Sequence, residues 1–95
     1  PAAEAALGDA YAHLNKLDDA VSAFKKAASM ADSKADDDTN NSLSPVFLIK
    51  AGEILESQNK KADALSIYQD VKKKYVNSML VQSGEIDKYI ERASN

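Results

Sequence analysis

The chain has 95 residues, a net charge of −3, 44% apolar and 28% charged residues, and no cysteine. That length suits one small domain, and the missing thiols exclude disulfides, zinc–thiolate centres and cysteine nucleophiles. The negative charge argues against a nucleic-acid partner, and no apolar run reaches the roughly 18 residues that a membrane-spanning helix needs.

Apolar residues recur at helical spacing along nearly the whole chain. Ala3, Leu7, Ala10, Tyr11 and Leu14 line one face of a first helix over about 2–14. "NKLDD" interrupts it, with Asp18 as the candidate cap of the next start. Ala20, Val21, Phe24, Ala27, Ala28 and Ala31 form the stripe of a second helix over about 18–31 or longer. The polar stretch that follows favours turns, so about 35–43 reads as a solvated loop. Ser44 then reads as an N-cap, Pro45 as the first helical residue, and Leu43 with Leu48 as a hydrophobic staple. A third helix is expected over 45–57, a fourth over 61–75 and, after a turn at "VNS" with Ser78 as cap, a fifth over 79–93. No segment alternates as a strand does, so the expectation is an all-α chain of five helices.

Sliding the sequence on itself by 44 positions places Gly8 on Gly52, Tyr11 on Leu55, Asn15 and Lys16 on Asn59 and Lys60, Ala20 on Ala64, Phe24 on Tyr68 and Ala27 on Val71. Small residues fall on small and large apolar on large apolar. Within the first unit, Leu7, Gly8, Tyr11, Ala20, Phe24 and Ala27 have the spacing of the tetratricopeptide repeat, which the chain resembles. Glu4 stands where that pattern usually has Trp, and Asp32 where it usually has Pro. In the second unit Gly52 and Ala64 match outright, Leu48, Ala51, Leu55, Tyr68 and Val71 match by class, and Val76 replaces the Pro. The resemblance implies two antiparallel helix hairpins, 1–34 and 45–78, stacked as a right-handed superhelix and joined by an inter-repeat loop over 35–44. Residues 79–95 follow as a capping helix, with Ile86, Tyr89, Ile90 and Ala93 inward and Glu85, Asp87, Lys88, Glu91 and Arg92 outward. The standard unit is about 34 residues, so the offset leaves about ten extra for that loop or for extra turns on the second helix. Each glycine is expected beside the small residue of its partner helix, Gly8 near Ala20 and Gly52 near Ala64, so that the two backbones approach.

No catalytic constellation assembles. His13, the single histidine, reads as a surface residue, and the basic run at 72–74 suits a helix C-terminus. Asp36, Asp38 and Asn40 have calcium-loop spacing, but Asn41 replaces the turn glycine and Phe47 the bidentate glutamate. No metal or cofactor is therefore expected. The resemblance implies a non-enzymatic scaffold whose concave face binds a protein or peptide. Its lining would be Ala5, Asp9, Ala12 and His13 from the first unit, and Ile49, Glu53, Glu56 and Ser57 from the second. Ala5, Asp9, Ile49 and Glu53 stand where relatives that clamp a terminal carboxylate carry Lys and Asn, so a basic or neutral segment suits this face better. The N-terminal face has no comparable cap. This favours further repeats before Pro1, in a chain that reads as the C-terminal piece of a longer protein, or a homodimer through that face. The ending "IDKYIERA" is similar to the tail of bacterial repeat proteins of the cell envelope, some resembling the secretion translocon's accessory subunit, and leans the localisation there.

Overall fold

A computed structural model describes residues 2–34 and 43–95. Every element among them is helical: α1 (Ala2–His13), α2 (Leu17–Lys34), α3 (Leu43–Ser57), α4 (Lys61–Lys74), α5 (Met79–Gln82) and α6 (Glu85–Ser94). The first four pack as two hairpins, with α2 of the first hairpin against α3 of the second, and α6 lies against α4. Residues 35–42 hold most of the expected loop together with Asp36, Asp38, Asn40 and Asn41, and they lie outside the described residues.

The 44-residue offset is visible in the backbone. Asn15 (φ 61°) and Asn59 (φ 62°) both adopt the left-handed conformation, two residues past the last residue of each first helix. The Lys16 N–H donates to the Tyr11 carbonyl (2.8 Å) and the Lys60 N–H to the Leu55 carbonyl (2.9 Å), closing the same six-to-one terminator twice. Asparagine reaches this conformation at less cost than other residues with a Cβ. Asn59→Val is therefore expected to lower stability by about 1–2 kcal/mol while Asn59→Gly leaves it within a few tenths, as read by urea unfolding.

Several expected starts are displaced. Helix α2 begins at Leu17, so Asp18 lies in its first turn rather than capping it. The Asp18 carboxylate instead accepts hydrogen bonds from Gln58 Nε2 (2.9 Å) and Lys60 Nζ (3.4 Å), joining the two hairpin turns. Helix α3 begins at Leu43, so Ser44 and Pro45 are already inside it, and Leu43 is 53% exposed. Ser44 is fully buried, and its hydroxyl lies within hydrogen-bonding distance of the Ala28 carbonyl (2.9 Å) and the Asp32 carboxylate (2.5 Å). Asp32 also accepts from the Tyr75 hydroxyl (2.8 Å) and Lys74 Nζ (3.1 Å), so one carboxylate fastens the end of α2 to α3 and α4. Fixing that end fits the length of α2, which runs a turn further than α4 does under the 44-residue offset.

The expected fifth helix is two helices. Gly84 adopts φ +80°, a conformation that breaks helical continuity between α5 and α6. This makes six described helices instead of five. Ser78 does stand at the N-cap of α5, but its hydroxyl donates back to the Tyr75 carbonyl (2.8 Å) instead of capping.

The core follows the apolar stripes of α2, α3, α4 and α6, but not that of α1, where Ala3, Leu7, Ala10 and Leu14 are exposed and Gly8 is the buried residue. Phe24, Tyr68, Val71, Tyr75 and Ile86 are buried, with Ala20, Ala27, Ala51 and Ala64 between them. Gly8 and Gly52 are buried too, but they face the aromatic residue one turn beyond the expected alanine. The atoms nearest to a side chain added at Gly8 belong to Phe24, and those nearest at Gly52 belong to Tyr68. Each hairpin is thus closed by an aromatic ring lying over a bare stretch of the facing backbone.

Candidate functional site

Three of the eight residues expected on the concave face come together. Asp9 and Ala12 of α1, with Glu53 of α3, line a shallow pocket of about 270 Å³ that also has Phe24, Lys50 and Ile54 in its walls. The pocket bridges both hairpins because α1 and α3 hold equivalent places in them. Lys50 reaches Asp9 across it (3.7 Å) and lies 5.5 Å from the centre of the Phe24 ring. Both partners of that ion pair are largely in solvent, where such a pair contributes little and is easily exchanged for another.

The other five are placed differently. Ile49 is only 6% exposed, belongs to the core and is not among the residues that line this pocket. Ala5 is partly buried against the core. His13 and Ser57 are exposed but outside this pocket, and the Ser57 hydroxyl donates to the carbonyl of Ile54 in its own helix (2.6 Å). Glu56, with a side chain 13% exposed, is occupied from within. It accepts the Tyr68 hydroxyl (2.5 Å) and both Nε and an Nη of Arg92 (2.8 Å each).

Arg92 is exposed, as its place on the outer side of α6 implies, and it also crosses to α3, bidentate on Glu56, 3.9 Å from Glu53 and 5.1 Å from the centre of the Tyr89 ring. Two charge-assisted bonds in a planar fork make this the strongest polar contact on this side of the molecule. They hold the Glu56 carboxyl below the usual glutamate range against the opposing effect of burial, with the Tyr68 hydroxyl adding to them. Burial pushes the Tyr68 hydroxyl well up, and the carboxylate beside it pushes the same way. Glu56 is thus a fastening for α6, and the charged residues that line the pocket between the hairpins are Asp9, Lys50 and Glu53.

Lys50 and Arg92 were missed for a physical reason. Each acts on a residue at least 36 positions away, and helical periodicity within one segment carries no information about that. Among the described residues no group of three or more His, Cys, Asp or Glu side chains is arranged to hold a metal ion, and no helix is long and apolar enough to cross a membrane.

Residues 48–78 match the family model of the tetratricopeptide repeat. No curated protein and no solved structure matches the chain.

Proposed function

From the premise that this chain is a tetratricopeptide-repeat protein, with its matched repeat at residues 48–78, we propose that it is a non-enzymatic scaffold presenting the α1–α3 face to a protein or peptide. Repeats of this family generally mediate protein–protein interaction. The observation that carries the reading here is the pocket bounded by Asp9, Ala12 and Glu53, which two separate hairpins build jointly. Rigid hairpins hold the two carboxylates in a fixed relation, so a partner need not order them when it binds. A basic side chain flanked by apolar ones suits the site, replacing Lys50 beside Asp9 and meeting Glu53 while its neighbours cover Phe24 and Ile54.

Capture of binding proteins by the immobilised chain, compared with its Asp9→Lys/Glu53→Lys variant, tests this. Both residues are exposed, so the variant is expected to keep its helical circular dichroism and lose about tenfold or more of captured partner. Equal capture by both proteins would remove the face from the proposal.

A second reading is self-assembly through α1. Leu7 and Leu14 are 47% and 67% exposed and share the stripe that carries Ala3 and Ala10. Their equivalents in the second hairpin include Ala51, which is fully buried. Sedimentation equilibrium separates the two readings. Assembly requires a dimer that Leu7→Lys/Leu14→Lys converts to monomer, and a monomer at all concentrations leaves α1 to the scaffold reading.

A further inference from the structure

Two neighbouring cavities lie on the other side of the molecule, between the second helices of the two hairpins. One of about 400 Å³ and one of about 330 Å³ both have Lys25, Leu48 and Asp70 in their walls, so they form a single groove. Its floor is apolar, with Ala28 and Leu48 at one end and Leu55 and Ile67 at the other. One wall is a stripe of α4 running Asp63, Ser66, Ile67, Asp70, Lys73 and Lys74, the spacing that places side chains on one helix face. The two ends of the stripe differ in charge, with Asp63 at its start and Lys73 and Lys74 at its finish, and Asp70 one turn before the lysines. Lys74 is engaged by Asp32. Asp63, Asp70, Lys73 and Lys25 have no ion-pair partner within 4.0 Å among the described residues.

We propose that this groove is a second docking surface, independent of the α1–α3 face, and that its occupant is a short extended peptide segment of defined charge order. Two apolar side chains seat on the floor, a basic residue faces Asp63, and an acidic residue faces Lys73. The dimensions set the length. From Asp63 to Lys74 the helix advances about 16 Å, which about five residues of extended chain span. Alternate side chains of such a segment point to one face, so a basic–apolar–polar–apolar–acidic pattern presents the apolar pair to the floor. Like charges at either end of the groove repel the wrong order, so the two unlike ends select direction as well as composition.

Fluorescence anisotropy at low salt with three labelled, end-blocked peptides, KLSLE, KLSLK and ELSLE, tests the proposal. The unaltered chain is expected to bind KLSLE saturably and at least about tenfold more tightly than either of the others. Lys73→Glu makes both ends acidic and is expected to switch the preference to KLSLK. Asp63→Lys makes both ends basic and is expected to switch it to ELSLE. Lys88→Glu, an exposed change on α6, should alter none of these. Four results would each overturn the docking surface: no saturation by KLSLE at about 1 mM; equal affinity for all three peptides; preferences that follow net charge in the Lys88→Glu protein as well; or binding abolished by Asp9→Lys/Glu53→Lys while the groove variants leave it intact. Failure here leaves the α1–α3 reading standing, because that reading predicts no effect of Lys73 or Asp63.

Discussion

Gly52→Ala is expected to destabilise the fold by about 2 kcal/mol, although alanine is the better helix former by about 1 kcal/mol. The added Cβ would lie 2.7 Å from Tyr68 Cζ and 2.9 Å from its hydroxyl oxygen, inside any real carbon contact. The ring cannot retreat cheaply. It is fully buried, its hydroxyl is bonded to Glu56, and the Tyr89 ring sits 5.4 Å from its centre. Overpacking of a well-filled site costs about 1–3 kcal/mol, and here the upper part of that range outweighs the gain in helix propensity. In a domain of this size 2 kcal/mol corresponds to a loss of about 8–16 °C in Tm.

Gly8→Ala provides the internal comparison. The nearest Phe24 atoms would be 2.9–3.0 Å from its Cβ, and Phe24 has no hydroxyl to anchor it. The solvent-exposed Lys50 ammonium, 5.5 Å from the ring centre, can move with it. The expected cost is under about 1 kcal/mol. Urea unfolding of the two variants should therefore rank Gly52 well above Gly8. The combined Gly52→Ala/Tyr68→Leu protein should show less than the sum of its parts, because the leucine vacates the space that the methyl enters. Equal effects at the two glycines would mean that the pinning of Tyr68 is not what decides the cost.

The same pair of sites shows what a sequence can reveal about such a fold. Two glycines 44 residues apart, each with an aromatic residue 16 positions later, disclose the hairpins, since only a close approach of helices makes an interior glycine worth keeping. Which residue faces the glycine depends on how the two helices slide past each other, and that register depends on the turn. Each turn carries a left-handed asparagine, and the atoms nearest the two glycines belong to Phe24 and Tyr68. The break at Gly84 had a local signal in the Ser83–Gly84 pair, but the apolar stripe runs across it and masks it. The pocket between α1 and α3 was legible only in part. Spacing puts Asp9 and Glu53 on the α1–α3 side, but whether a carboxylate there meets solvent depends on α6. Glu56 is taken by Arg92 and Asp32 by Tyr75, partners 36 and 43 residues distant.

Those two carboxylates also give the fold a defined response to acid. For Glu56, the Arg92 bonds outweigh burial and, with the Tyr68 hydroxyl, hold the pKa below the ordinary 4.5. For Asp32, burial acts upward, but hydrogen bonds from Ser44, Tyr75 and Lys74 together outweigh it and hold the pKa below the ordinary 3.8. A carboxyl group whose folded-state pKa is depressed adds stability that is fully present above its unfolded value and disappears as pH falls through the folded one. Unfolding free energy should therefore be nearly level from neutrality to about pH 5 and fall steadily below about 4.5. At neutral pH, Glu56→Ala should cost about 2–3 kcal/mol, since it strands the Tyr68 hydroxyl in the core and frees Arg92. Glu56→Gln keeps an acceptor for Tyr68 and should cost about 1 kcal/mol. Its more telling effect is on the slope. A neutral amide does not titrate, so Asp32→Asn/Glu56→Gln should begin less stable at pH 7 and lose much less on acidification, its curve approaching that of the unaltered chain near pH 3. Urea midpoints measured from pH 7 to pH 3 decide the matter. An acid slope unchanged in the double variant would place the titrating groups elsewhere and deny these two fastenings their role in holding α2 to α4 and α6 to α3.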